Sequence, residues 1–326
     1  MQGRDLTVDP ITLVELDQAA AAIYRVLAPT PQIAWPLLAE RCACEVWVKH
    51  ENHLPTGAFK VRGGLWFMQR LMESREAPTG VIAATRGNHG QSIAFAARRH
   101  SIGAVIVVPY GNNPEKNRSM RALGADLVEY GADFNEALDH AVDLGRERGL
   151  YTMPSFHSLL VNGVGSYSLE LLRAVPDLDA VYVPIGLGSG IAGMLAARDA
   201  LDLGTEIIGV VAERADAYAR SFESGAVEST AAADTIADGL AVRIPNADAL
   251  AYLKTGVSRI VRVADDDMLA AVRILFEDTH NLAEAAGAAP LAALLLERDV
   301  MRGKRVGIII SGGNIDRATF VKALSR

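Results

Sequence analysis

A single lysine, Lys60, stands in the stretch ENHLPTGAFKVRGG (51–64) between a proline turn and a Gly-Gly step. An ordinary surface lysine needs no such setting, because water satisfies its ammonium and its stem lies along any apolar surface. A lysine held among turn residues suits a nucleophile or base instead, provided that its surroundings disfavour the ammonium. Three other stretches carry binding chemistry. Thr85, Arg86, Gly87, Asn88 and His89 follow GVIAA; Gly186, Leu187, Gly188, Ser189 and Gly190 open GLGSGIAG; Ser311, Gly312, Gly313 and Asn314 follow VGIII. The glycine run can hold a phosphate on backbone N–H groups at a helix N-terminus.

All four stretches leave apolar, strand-like segments. EVWVKHE, GVIAAT, GAVIVVP, GADLVEY, AVYVPI, EIIGVVAE, RIVRVA and VGIIIS read as strands, and Ala-rich runs with spacing near 3.6 separate them. These include GQSIAFAARRH, NEALDHAVDLGRERG, SYSLELLRAV, AGMLAARDALDLG, DDMLAAVRILFEDTH and APLAALLLERDVMRG. Strands without polar alternation, joined by helices, predict largely parallel sheets covered on both faces, with ligands bound beyond the carboxyl ends of the strands. No repeat or linker separates two tandem units, so two intertwined α/β domains are expected. RADAYARSFESGAVESTAAADTIADG has weak periodicity and is expected to be an irregular connection.

Two cofactors compete for the glycine run. Gly188, Gly190 and Gly193 have the spacing of a dinucleotide loop, and Glu213 ends the next strand where a ribose acid would stand, which suits a nicotinamide-dependent oxidoreductase. That reading leaves Lys60, the Asn-His step and the Ser-Gly-Gly-Asn step without a role. Pyridoxal phosphate uses all four stretches, since it needs a lysine, an anion cradle and partners for its phenolic oxygen and ring nitrogen.

The order of TGAFK, GNH, the glycine run and SGGN resembles the fold-type II pyridoxal phosphate enzymes, tryptophan synthase β-like in fold. Within them it is similar to the serine/threonine dehydratase (ammonia-lyase) and serine racemase family. TIADGLAV (235–242) and VNGVGSYSLEL (161–171) extend the likeness. The resemblance implies a large cofactor-binding domain from 1–77 and 151–326, with a small mobile domain at 78–150. It implies that Lys60 carries the cofactor and takes the substrate's Cα proton. Asn88 is expected to bond the phenolic oxygen, Gly186 to Gly190 the phosphate, and Ser311 the ring nitrogen. Thr85, Arg86, Gly87, Asn88 and His89 are expected to receive the substrate, with His89 not a catalytic group. Plainer readings stand beside these: Asn88 could cap the helix after it, and Ser311 with Asn314 could cap the last helix.

The resemblance also implies β-elimination from a threonine- or serine-like amino acid, giving a 2-oxo acid and ammonia. Related branches act on threo-3-hydroxyaspartate, phenylserine or an intermediate of hydroxyectoine breakdown, and Arg86 could reach a polar tail on such substrates or point to solvent. Racemases of the family carry serine at the position of Arg86, so dehydration without efficient racemisation is expected. Glu213 and Asp216 could contribute to a cation site, or pair with Arg214 or Arg220; no metal is assigned. The short stretch after Asn314 favours an enzyme without a regulatory domain, in a catabolic role.

Composition narrows the partners. A net charge of −7 at pH 7 lacks the basic face that nucleic acid or anionic lipid requires. The apolar runs are too short to cross a bilayer, and the amino terminus lacks a secretory pattern, reading as a polar arm before a helix. Cys42 and Cys44 alone support neither a disulfide framework nor a zinc site. A cytoplasmic enzyme acting on a small amino acid is expected, and a homodimer by family likeness.

Overall fold

The computed structural model describes residues 10–325; the polar arm at the amino terminus lies outside them. Among the described residues, ten strands form two sheets. The strands are β1 (Gln32–Ala34), β2 (Glu45–His50), β3 (Gly80–Ala84), β4 (Gly103–Val108), β5 (Ala125–Glu129), β6 (Tyr151–Thr152), β7 (Ala180–Pro184), β8 (Glu206–Ala212), β9 (Val257–Val263) and β10 (Arg305–Ile310). The six-stranded sheet runs β1-β2-β10-β7-β8-β9 and the four-stranded sheet β5-β4-β3-β6. Every pair is parallel except β1 with β2.

The strands are parallel because helices return the chain between them, and the central ones are buried on both faces, which is why β3 and β7 are apolar throughout and wholly buried. On one face of the larger sheet, Asp265–Thr279 and Ala285–Leu296 close a core around Val46, Val48, Tyr182, Ile208 and Ile310. On the other, Ser158–Ala174 and Ser189–Ala200 pack on Val181, Val183 and Ile309. The four-stranded sheet shares its core with Leu13–Tyr24 and Lys60–Met72, so the units interlock through helices as well as through chain order.

Local signals set the helix ends. Thr12 and Glu15 form a capping box, and Asp133 caps Phe134–Arg148, which stops at Gly149 with φ +63°.

Several elements differ from the sequence reading. β1 and β6 are too short to show a period, and β6 owes its place to pairing with β3. Ser158–Ala174 begins well before SYSLELL, because Gly163 and Gly165 lie against neighbouring backbone and side chains and so fit within a packed helix. The supposedly irregular 214–239 contains the helix Ala217–Ser224, whose buried Tyr218 and Ala219 supply its apolar face; only the stretch beyond Gly225 is irregular. Among the described residues no helix is long and apolar enough to cross a membrane.

Candidate active site

Strands β2, β10 and β7 are neighbours in one parallel sheet, so their carboxyl ends lie side by side. His50 pairs with Ile310, and the loops leaving β2, β10 and β7 deliver Lys60, Ser311 and the glycine run. β3 of the other sheet brings residues 85–89 to face them. Twelve residues named from the sequence line one cavity of about 440 Å³: Lys60, Thr85, Arg86, Gly87, Asn88, His89, Gly186, Leu187, Gly188, Ser189, Gly190 and Ser311; Gly312, Gly313 and Asn314 are not among its lining residues.

Lys60 is the first residue of Lys60–Met72, and its Nζ donates to Ser189 Oγ at 2.9 Å. Burial lowers its pKa from 10.5 to about 8. Two helix N-termini meet at this amine, and their dipoles disfavour a cation there as well. The position is held by the bond from Phe59 N to the Ser311 carbonyl (3.0 Å) and by Arg62, two residues on, which is fully buried between Glu51 and Glu170.

The glycine run is shaped for a ligand. Gly188 has φ +98° and a Cβ there would lie 2.7 Å from Ala249 Cβ; one at Gly186 would lie 2.3 Å from the Gly239 carbonyl oxygen. Ser189 and Gly190 begin a helix, where backbone N–H groups have no intrahelical partner. Such a cradle receives a phosphate dianion.

Asn88 does not cap the helix it opens; Gly87 holds the cap position. Its amide crosses to the larger sheet, giving a hydrogen bond to Glu284 Oε1 (2.5 Å) and accepting one from Asn314 Nδ2 (2.8 Å). Asn314 also donates to the Thr56 carbonyl, while Asp316 caps the last helix, so neither Asn314 nor Ser311 serves as that cap. One ring nitrogen of His89 bonds the Pro154 carbonyl and its Nε2 is buried without a partner. Burial, then the nearby Lys60, pushes its pKa down to about 3, so the ring is neutral at working pH.

Six charged residues of the cavity were missed from the sequence: Lys116, Asp133, Asp234, Asp238, Arg243 and Glu284. Lys116 bonds Asp238 Oδ2 at 2.9 Å and lies 3.5 Å from Glu284 Oε2; burial opposes its charge, but the two carboxylates outweigh it and raise its pKa. Arg243 pairs with Asp133 at 2.7 Å. Asp238 lies within TIADGLAV, which marks its neighbourhood; Glu284, Lys116 and Arg243 give no local signal. Arg86 is 38 % exposed in its side chain and its nearest acid is Asp238, at 4.0 Å.

Glu213 is exposed on a turn and is not among the cavity residues, so it does not complete a dinucleotide site. Asp216 bonds Arg220 and Arg262 at 2.8 and 3.0 Å, and Arg214 pairs with Asp234. The donor set suits pyridoxal phosphate: a cradle that a Cβ would fill, a lysine held near neutrality beside it, an oriented amide and a hydroxyl.

Comparison with known proteins agrees. A family model described as "Pyridoxal-phosphate dependent enzyme" matches residues 23–312. The chain is 34 % identical over 307 residues to an L-threonine ammonia-lyase of Thermotoga maritima, covering 94 % of this chain and 76 % of that one. It is 30 % identical over 308 residues to an L-threo-3-hydroxyaspartate ammonia-lyase of Saccharomyces cerevisiae, covering 94 % of each. The processed form of threonine deaminase isoform 2 from Solanum lycopersicum superposes with a TM-score of 0.87 at 30 % identity, covering 100 % of this chain and 99 % of that one. With the cavity, its lysine and its glycine run, these likenesses establish that the chain belongs to the pyridoxal-phosphate dependent enzymes of fold type II.

Proposed function

We propose that the protein is a pyridoxal phosphate-dependent ammonia-lyase that converts a threonine- or serine-like β-hydroxy amino acid to a 2-oxo acid and ammonia. The observation that carries this reading is Lys60 Nζ, with its pKa lowered to about 8, at 2.9 Å from the first residue of the phosphate-cradle helix.

Bound pyridoxal phosphate supplies an aldehyde for an amino group and a ring that accepts the electron pair left at Cα. Lys60 would hold the aldehyde, and its neutral Nζ, when free, would take the Cα proton of the substrate. Ser189 Oγ accepts from Nζ and keeps it at the cavity wall. The N–H groups of 186–190 receive the phosphate, and the Asn88 amide donates to the phenolic oxygen. The backbone N–H groups of Arg86, Asn88 and His89 would receive the substrate carboxylate at a helix start, since those of Thr85 and Gly87 donate to the Val107 carbonyl and to Thr85 Oγ1.

Ser311 would offer the ring nitrogen a hydroxyl rather than a carboxylate, a partner that does not enforce full protonation and so suits elimination. The proton gained by Lys60 accompanies the β-hydroxyl as water. The released enamine then hydrolyses to the 2-oxo acid and ammonia.

Threonine is the substrate class carried by the names of two of the three relatives above. The assay measures 2-oxo acid and ammonia from L-threonine and L-serine, with their D forms, threo-3-hydroxyaspartate, phenylserine and hydroxyectoine-derived compounds as comparison arms. Turnover of L-threonine or L-serine is expected; release of neither product from either one overturns the reading.

The proposal includes three further parts: a division into 1–77 with 151–326 and a mobile 78–150, a homodimer, and a cytoplasmic location. Hydrogen exchange with and without substrate, sedimentation and cell fractionation test them in turn.

A further inference from the structure

Asn88 is held at both ends of its amide, and the partners dictate which way it faces. Asn314 Nδ2 donates to the Thr56 carbonyl at 2.9 Å and to Asn88 Oδ1 at 2.8 Å, so Asn314 presents its nitrogen to Asn88. Opposite, Glu284 Oε1 lies 2.5 Å from Asn88 Nδ2. Turning the amide over would set oxygen against carboxylate and NH2 against NH2, losing both bonds. One N–H of Asn88 is used by Glu284, and the other remains for the cavity.

Glu284 is itself fixed. It is 5 % exposed, its backbone N–H donates to the Gly312 carbonyl at 3.0 Å, and its Oε2 faces Lys116 Nζ at 3.5 Å. A Cβ on Gly312 would lie 2.5 Å from Glu284 Oε1, so a glycine there is what lets the carboxylate reach Asn88. Asn88 and Lys116 come from the part of the chain that builds the four-stranded sheet; Glu284, Asn314 and Asp238 come from the other part. The amide is thus set by contacts that exist only when the two parts are together.

We propose that Glu284 is a positioning residue, whose carboxylate holds the Asn88 amide so that its free N–H points at the group Asn88 binds. The inference rests on the reading above that this group is the phenolic oxygen of pyridoxal phosphate. A buried hydrogen bond to a charged acceptor both orients the amide and polarises its other N–H.

The test compares holoenzymes carrying Glu284→Ala, Glu284→Gln, Asn88→Ala and the double alanine substitution. The readouts are the visible absorption of the bound cofactor as a function of pH, cofactor dissociation, and kcat against KM. Glu284→Ala is expected to move the absorption midpoint in the direction that Asn88→Ala moves it. It should also lower kcat on the order of tenfold, the worth of one hydrogen bond to a charged group, with little change in KM. Glu284→Gln, whose carbonyl oxygen can still accept, should restore most of the absorption behaviour, and the double variant should behave as Asn88→Ala alone.

Additive effects in the double variant overturn the proposal. So does an unchanged absorption in Glu284→Ala where Asn88→Ala shifts it. A silent Asn88→Ala overturns it together with the role given to Asn88. If Glu284→Ala does not fold, Asn314→Ala loosens the same amide from its other side: a matching absorption shift supports the proposal and an unchanged one overturns it.

Discussion

Lys60 Nζ donates to Ser189 Oγ at 2.9 Å, tying the first residue of Lys60–Met72 to the first residue of Ser189–Ala200. The two helices follow different strands of one sheet, and their N-termini converge on the amine. Burial and the two positive helix ends therefore act together against an ammonium at this point.

In the role proposed for it, Lys60 must be neutral for the cofactor-free protein to capture pyridoxal phosphate. Its rate should rise with pH through about 8 and level off above, instead of climbing toward 10.5 as for an ordinary lysine. Stability has the same sign. The unfolded chain binds more protons between about 8 and 10.5, so the stability of the cofactor-free protein should increase across that window. Stopped-flow absorbance and denaturant unfolding at stepped pH measure the two, and Lys60→Ala should abolish capture and turnover while keeping the fold.

Gly188→Ala combines a left-handed φ of +98° with a contact at 2.7 Å to Ala249 Cβ. The strain should cost about 1–3 kcal/mol. Because the same residue shapes the glycine run proposed to hold the phosphate, cofactor dissociation should rise roughly tenfold or more. Calorimetry and equilibrium dialysis give the two numbers; wild-type cofactor affinity in this variant would contradict the cradle.

Arg62 is fully buried and bonds both Glu51 and Glu170, with bonds of 2.6 Å to each. Replacing it by Met should leave Glu51 without its buried cation and Glu170 with Lys49 only, a loss of about 3–5 kcal/mol. Burial raises the Glu170 pKa, but Arg62 and Lys49 outweigh it and lower the carboxyl below 4.5. The stability that this confers is complete above 4.5 and should vanish as pH falls through the lowered folded value, so acid unfolding should begin at higher pH in Arg62→Met.

Arg86 meets Asp238 at 4.0 Å with both side chains about a third exposed, a pair worth little. Arg86→Ala should change stability by no more than about 0.5 kcal/mol. The wild-type enzyme should release 2-oxo acid from the L substrate without forming the D isomer, since a guanidinium does not exchange a proton at the opposite face. Chiral chromatography checks this, and Arg86→Ser should introduce slow racemisation.

Much of the scaffold was legible because its signals are local. Runs such as VGIII and AVYVP are apolar at every position because both faces of the strand are covered, and short β-branched runs set between helical ones marked eight of the ten strands described. β1 and β6, three and two residues long, carry no period and exist through pairing with β2 and β3. Ala217–Ser224 was lost among Ala and Ser residues whose burial follows from where the helix packs rather than from its composition.

The site divides along the same line. Lys60 among turn residues, Asn88 after a strand, the glycine run and Ser311 are unusual choices at strand ends, and a parallel sheet places strand ends together, so the sequence, through these residues and the family resemblance they carry, pointed to the cofactor and the chemistry. Glu284, Lys116 and Asp238 are ordinary charged residues by type and spacing. Their meaning lies in contacts such as Asn88 with Glu284, 196 residues apart in the chain, and Lys116 with Asp238, 122 apart. Only the tertiary structure decided these, because the pairing of buried charges depends on which side chains the packed sheets bring within hydrogen-bond distance, and no local pattern encodes that.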